Sequence, residues 1–177
     1  MLAVFALVAL VLAACGGDDD TGAVTSIPSS GNRQADATTD TSAPDSPEEQ
    51  AVAVYQEGQT YLSGLLGHRP PDPTDAGLEQ YFSGDALSGS RDVVAALASD
   101  NEYADSTVTT DPRVVDASDD SVVLDDCLQE QVTRFDVSSG AQKDSGSASY
   151  NLHVTVLAAD GAWKVDQIEI REDPCTP

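Results

Sequence analysis

Residues 147–171, with the sequence SASYNLHVTVLAADGAWKVDQIEIR, decide the fold of this chain. Residues 147–158 alternate between apolar and polar side chains, which is typical of a strand with one buried face. The Asp-Gly pair at 160–161 favours a tight turn between antiparallel strands. The stretch therefore predicts a β-hairpin with strands over 147–158 and 162–171. The apolar face of the first strand consists of Tyr150, Leu152, Val154, Val156 and Ala158.

The second strand of this hairpin changes phase part of the way along. Trp163 and Val165 share one face, whereas Ile168 and Ile170 would fall on the opposite face of a regular strand. One extra residue between the two pairs would return all four to a common face. We therefore predict a β-bulge near residues 166–167.

Shorter segments with a period of two precede the hairpin. Val108 and Val114-Val115 mark a first strand, and a second covers 121–129 after a Ser-Asp-Asp turn. A third strand is predicted over 131–137, where a Ser-Ser-Gly segment ends it. With the hairpin, these segments predict an antiparallel sheet.

The residues before this sheet predict helices. Ser46-Pro47 and Glu49 supply an N-cap, a proline at the first helical position and a capping box. Apolar side chains then recur every three or four residues, which predicts an amphipathic helix of about 20 residues. Gly67 ends this helix. A short helix over 75–82 and a third over 85–98 follow.

Helices first and an antiparallel meander afterwards predict an α+β fold, with the helices on one side of a curved sheet. This order resembles the NTF2-like (SnoaL-like) cone over about residues 49–175 and, more narrowly, actinobacterial lipoproteins with such a domain. The resemblance implies about three N-terminal helices packed on the sheet around a cavity. It rests on Tyr55, Tyr61-Leu62, residues 81–87, Asp126-Cys127, residues 160–165 and Cys175.

The first 14 residues are apolar and uncharged, which is typical of an export signal and too short for a membrane span of about 20 residues. They end in Leu12-Ala13-Ala14-Cys15, which resembles the lipobox of bacterial lipoproteins. The resemblance implies cleavage before Cys15, acylation of that cysteine (palmitate) and attachment to the extracytoplasmic face of the cell membrane. The predicted organisation is a signal peptide at 1–14, a disordered acidic tether at 15–46 and the NTF2-like domain at 47–177.

The charge of the chain restricts its partners. Thirty-one acidic against eight basic residues give a net charge of −23 at pH 7. Such a chain is repelled by phosphate backbones, so nucleic acid is excluded as a partner. The acidic residues do not match a calcium-binding loop, and we expect no metal or cofactor. They are interpreted as a solvated, repelling surface.

Two cysteines remain if Cys15 is lipidated. Cys127 and Cys175 would then lie in an oxidising compartment, where we predict a disulfide between them. This disulfide would close a loop of about 48 residues. In the chain-entropy model, closing a loop of that length stabilises the fold by at most about 4 kcal/mol. A metal site made of two isolated cysteines without nearby histidines is not favoured.

Candidate cavity residues are Asp126, Tyr55 and Tyr61. Asp126 shares a face with apolar residues, so it would be a carboxylate in an apolar pocket with a raised pKa, to which both tyrosines could donate. The alternative is a carboxylate bonded to backbone or solvent beside ordinary core tyrosines. His153 is predicted to point outward and His68 to lie in a solvated loop. No catalytic residue is assigned.

Three functions stay open at this point. The first is a non-enzymatic envelope protein that binds a small apolar ligand or an envelope partner. The second is an isomerase or dehydratase that uses Asp126 with a tyrosine. The third is a structural or assembly lipoprotein, and dimerisation through the sheet is also left open. An open apolar cone favours the first, an open cone with a buried carboxylate the second, and a filled cone the third.

Overall fold

The computed structural model describes residues 46–173 and Cys175. They form a mixed α+β domain in which helices cover one face of a curved antiparallel sheet, as predicted. The predicted signal peptide, Cys15 and nearly all of the tether lie outside the described residues. Among the described helices, none is long and apolar enough to cross a membrane.

The first helix, α1, covers Pro47–Leu66 and begins as predicted. The Ser46 side chain accepts a hydrogen bond from the Glu49 backbone N–H, and the Glu49 carboxylate accepts one from the Ser46 backbone N–H. This capping box satisfies backbone donors that the first turn leaves unpaired. Gly67 caps the other end. The buried stripe of α1 consists of Ala51, Tyr55, Gly58, Gln59, Leu65 and Leu66.

The second helix is shorter than predicted. α2 covers Leu78–Tyr81, whereas a helix was expected over 75–82. The Asp75 carboxylate accepts a hydrogen bond from the Gly77 backbone N–H, which closes a local turn in place of the first helical turn. α3 covers Gly84–Ser99, close to its predicted bounds.

The sheet contains β1 (Glu102–Thr109), β2 (Arg113–Ala117), β3 (Ser121–Asp136), β4 (Gln142–Ala159) and β5 (Ala162–Arg171). The order is β1-β3-β4-β5, and β2 also pairs with β3. The predicted strands over 121–129 and 131–137 are one strand, because Glu130 keeps its register with Val108 on one side and Ala148 on the other. The valine-marked first strand is two strands, because Pro112 lies between them and has no N–H for a ladder.

The last hairpin has the predicted turn and bulge, but β4 begins at Gln142, earlier than the predicted start at residue 147. Asp160 and Gly161 have φ values of 54° and 81°, the left-handed conformation that a tight hairpin turn of this type requires. The register of β4 against β5 shifts once, from the Thr155–Gln167 pair to the Val156–Val165 pair, so Asp166 is the extra residue. The bulge returns Ile168 to the core face opposite Val154, as predicted.

The core lies between the helices and the even-numbered face of β3 and β4. Helical side chains and strand side chains there form one contiguous buried cluster. These side chains pack against one another between the helices and the sheet, so they fill this part of the predicted cone interior. The largest fully buried side chains are Tyr55, Phe82, Leu78, Leu124, Val94, Val122, Val154, Val156 and Val165.

Candidate functional site

Asp126 lies on the core face of β3 and is bound by α1. Its Oδ2 atom accepts a hydrogen bond from the Tyr55 hydroxyl at 2.7 Å, and Oδ1 accepts one from the Asp111 backbone N–H at 2.7 Å. Tyr55 is fully buried and Asp126 is 4% exposed. The carboxylate therefore connects a helix, a strand and the segment that joins β1 to β2.

The electrostatics of this pair follow from its burial. Removal from water raises the pKa of the Tyr55 hydroxyl far above its ordinary value, and the hydrogen bond to Asp126 raises it further. Tyr55 therefore stays protonated and remains a donor at every ordinary pH. Each Asp126 oxygen accepts one protein hydrogen bond, so the fold fixes the orientation of the carboxylate. This matches the alternative in which the carboxylate is bonded to backbone.

Tyr61 is not part of this group, which corrects the prediction that both tyrosines donate into one cavity. Its hydroxyl donates to Asp75 Oδ1 at 2.6 Å, in the loop after α1. Tyr61 lies six residues after Tyr55, and with 3.6 residues per turn this places the two side chains on different faces of the helix. The bond to Asp75 raises the pKa of Tyr61 to about 12.

Cys127 and Cys175 form a disulfide with an S–S distance of 2.09 Å, the pairing that the cysteine count predicted. After β5 ends, the chain crosses the outer face of the sheet, the face opposite the helices. The Asn151 side-chain amide donates to the Asp173 carbonyl at 3.3 Å on the way. The disulfide therefore attaches the C-terminal segment across β4 to β3.

A titratable cluster that the sequence analysis missed lies beside this crossing. Asp125 Oδ1 is 2.6 Å from His153 Nδ1, and Asp125 Oδ2 accepts a hydrogen bond from Arg171 at 3.0 Å. His153 thus faces outward, as predicted, and His68 is exposed in its loop, also as predicted. The hydrogen bond from His153, with the charge of Arg171, holds the pKa of Asp125 below its usual value. One indication of this cluster was present in the sequence. Asp125 directly precedes Asp126, and because neighbouring residues of a strand face opposite sides, one of the two carboxylates had to lie on the outer face.

The His153 ring can satisfy only one of its two neighbours at a time. Arg171 Nη2 also lies 2.6 Å from Nδ1, and a guanidinium can only donate. An Nδ1 atom without a proton accepts a hydrogen bond from Arg171, whereas an Nδ1 atom that carries a proton donates one to Asp125. The cluster is compact, but its side chains are 28–40% exposed. It is therefore a hydrated surface network.

Two clefts adjoin on the outer face of the sheet. The first, of about 270 Å³, lies where β1 and β2 separate beside the disulfide. The second, of about 380 Å³, crosses β1, β3 and β4. Thr109 and Gln129 line both clefts. The two clefts are therefore neighbouring parts of one groove. The first cleft also contains Asp111, Arg113, Asp125, Asp126, Asn151 and Cys175.

The concave surface that these residues line therefore lies on the outer face of the sheet. Within the described residues, no group of three or more His, Cys, Asp or Glu side chains is arranged to hold a metal ion.

No family model matches the chain, and the comparison with curated proteins found no significant match. Solved structures do match. The intermembrane space region of the chloroplast protein ARC6 has a TM-score of 0.57 and 20% identity, covering 72% of this chain and 98% of that region. A protein of Kribbella flavida has a TM-score of 0.46 and 12% identity, covering 70% and 90% of the two chains.

A further match is a protein of Novosphingobium aromaticivorans assigned as a scytalone dehydratase, with a TM-score of 0.45 and 13% identity, covering 68% and 82% of the two chains. The match to the ARC6 region shows a shared fold. The helix-first order and the curved antiparallel sheet of this chain are those expected of an NTF2-like domain.

Proposed function

We propose that this chain is a lipid-anchored protein of the cell envelope whose domain binds another envelope component through the outer face of its sheet. Export and lipidation at Cys15 are supported by the apolar leader and the lipobox-like sequence before it. The net charge of −23 supports an exterior role in which the domain is kept away from anionic surfaces.

The observation that carries this proposal is the packing of the cone. Nine large side chains are fully buried there, among them Tyr55 and Phe82. A ligand inside the cone would have to displace them, and packed cores resist such changes in volume. The proposal therefore favours an envelope partner over a small apolar ligand within the cone.

The contacts of Asp126 argue against the isomerase or dehydratase alternative. A general acid or base needs a proton-transferring atom within reach of a substrate. Both oxygens of Asp126 are instead engaged by Tyr55 and by the Asp111 backbone. The pair thus supports a structural role, and the groove on the outer face offers a surface for binding.

The anchor is tested separately from the binding surface. Cys15→Ser removes the sulfur atom that would be acylated. We expect the full-length variant to be recovered from the medium, whereas the wild-type protein sediments with membranes. Continued sedimentation of the variant with membranes, or an unprocessed protein in the cytosol, would contradict the anchor.

The binding surface is tested with the released Cys15→Ser protein and an envelope preparation from the host. We expect the protein to sediment with the envelope. A further Ser149→Arg substitution places a long side chain in the second cleft and should reduce the bound fraction. Ser88→Arg, on the exposed surface of α3, adds the same charge elsewhere and should have no effect. If both substitutions reduced the bound fraction equally, the outer face would no longer be supported as the binding surface.

A further inference from the structure

The second cleft has an unusual composition for so acidic a chain. Eight residues line it, and the six whose side chains face outward carry no charge. The other two, Glu130 and Ala148, occupy the alternate strand positions, which face the helices, and the Glu130 carboxylate accepts a hydrogen bond from the Ser106 hydroxyl. The six outward-facing side chains form two rungs across three strands, as the strand register shows. The outward-facing side chains of the cleft, which define the neutral cleft, are Thr107, Gln131 and Ser147 in one rung and Thr109, Gln129 and Ser149 in the next.

These six side chains have their hydrogen-bonding groups free. All six are exposed, and within the described residues none of them makes a side-chain hydrogen bond to the rest of the protein. Hydroxyl and carboxamide groups both donate and accept. Neighbouring strands are about 4.8 Å apart, and alternate residues along a strand are about 7 Å apart. The cleft thus presents a regular grid of neutral donors and acceptors.

The chemistry of the cleft argues against several kinds of partner. The exposed large apolar side chains of the described domain, Val93, Val114, Val115 and Ile170, are not among its lining residues. Lipids and most protein interfaces need an apolar centre, which the cleft does not provide. Anionic polymers would meet the overall negative charge of the chain.

The shape of the groove favours an extended ligand. The neutral cleft, of about 380 Å³, lies within the range of about 300–1,000 Å³ that is typical of ligand sites. It joins the first cleft through Thr109 and Gln129, so a polymer could continue past it toward Asn151 and the disulfide. A neutral chain of sugar rings carries hydroxyl groups along its whole length and could use such a grid repeatedly.

We propose that the groove on the outer face of the sheet binds a neutral polysaccharide, with the neutral cleft as its principal subsite. This proposal rests on the proposed function and specifies the envelope component. Thr and Ser hydroxyls contact sugar hydroxyls, and the Gln129 and Gln131 amides each donate to one sugar oxygen and accept from another. The bound chain is uncharged, so the negative charge of the protein does not repel it.

The probes are a soluble β-glucan oligosaccharide, a chito-oligosaccharide and, as an anionic counterpart, an oligogalacturonate. Each is titrated into the full-length Cys15→Ser protein with its disulfide intact, and binding is measured by calorimetry or by NMR chemical shifts. We expect at least one neutral oligosaccharide to bind and to shift resonances of the neutral cleft. The oligogalacturonate should bind at least about tenfold more weakly.

Thr107→Val combined with Thr109→Val removes two hydroxyls while it keeps the side-chain shape and the preference for strands. We expect this double variant to bind the neutral oligosaccharide about tenfold more weakly. Thr155→Val is the matched control, because Thr155 lies on the same face, opposite Gln167, and outside both clefts. Its affinity should equal that of the parent protein.

Three results would overturn the ligand assignment: no neutral oligosaccharide binds, the double variant binds as well as Thr155→Val, or the oligogalacturonate binds as tightly. If envelope sedimentation nevertheless remains sensitive to Ser149→Arg, the proposed function stands and only the polysaccharide is wrong. If the Cys15→Ser protein itself does not sediment with the envelope, both proposals fail.

Discussion

At the residue scale, Asp126 shows how an apparent catalytic group can be a structural one. The residue is 96% buried, a fraction that would make an unbonded carboxylate very unfavourable. Its two hydrogen-bond donors come from α1 and from the segment before β2. The same pair that could suggest acid–base chemistry therefore holds three parts of the fold together.

Tyr55→Phe tests this role. The substitution removes the hydroxyl that donates to Asp126 and leaves the ring in the core, so we expect the free energy of unfolding to fall by about 1–3 kcal/mol. Tyr61→Phe also removes a hydroxyl bonded to a carboxylate, but Asp75 is not buried, and the loss should be smaller. Denaturant titration measures both values. Equal losses would show that burial of Asp126 is not the cause.

Asp125 gives the domain a predicted pH dependence. The native pKa of its carboxyl is lowered by the hydrogen bond from His153 and by Arg171, so the unfolded chain binds this proton more readily than the folded one. The stabilisation is present above the ordinary aspartate pKa of 3.8 and is lost as the pH falls through the lower, native value. Asp125→Asn should therefore flatten the acid limb of a plot of unfolding free energy against pH. An unchanged acid limb would exclude this contribution.

At the scale of single elements, the hairpin between β4 and β5 was the most predictable part of the molecule. Alternation, an Asp-Gly turn and the phase change before Ile168 are local properties, and each determines backbone geometry over a few residues. The predicted break in β3 was wrong for the opposite reason. Glu130 interrupts the local pattern, but pairing on both sides keeps the strand continuous.

Substitutions at two glycines should change the free energy of unfolding in opposite directions. Gly161→Ala puts a Cβ atom on a residue with φ of 81° and should lower the free energy of unfolding by about 1–2 kcal/mol. Gly64→Ala adds a methyl group within α1, where no atom beyond the adjoining helix backbone lies within 4 Å of the new carbon, and should raise the free energy of unfolding by about 0.5–1 kcal/mol. Thermal unfolding of both variants checks the signs. A shift in the same direction for both would contradict the argument from backbone conformation.

At the scale of the whole molecule, the disulfide connects the end of the chain to the middle of the sheet. It closes a span of 48 residues and forms one wall of the first cleft. Because β5 pairs with β4 only as far as Asn151, the segment after Arg171 is free to cross the outer face toward Cys127. The disulfide thus contributes to both stability and the shape of the groove.

Replacing Cys127 and Cys175 together by serine should lower the free energy of unfolding by about 2–4 kcal/mol. Reduction of the wild-type protein should produce a loss of the same size, measured by denaturant titration with and without reductant. Unchanged stability after reduction would mean that the bond does not constrain the unfolded chain.

Local sequence by itself determined the helix-first order, the caps of α1, the hairpin with its bulge and the outward direction of His153. Each depends on spacing, turn chemistry or charge within a short segment. Only the tertiary structure decided which tyrosine meets Asp126, that side chains of the helices and the sheet pack into one core, and that Thr, Gln and Ser side chains from three strands line one cleft. These features join residues far apart in the chain, such as Tyr55 and Asp126 at a separation of 71, and no periodicity within a segment encodes such a distance.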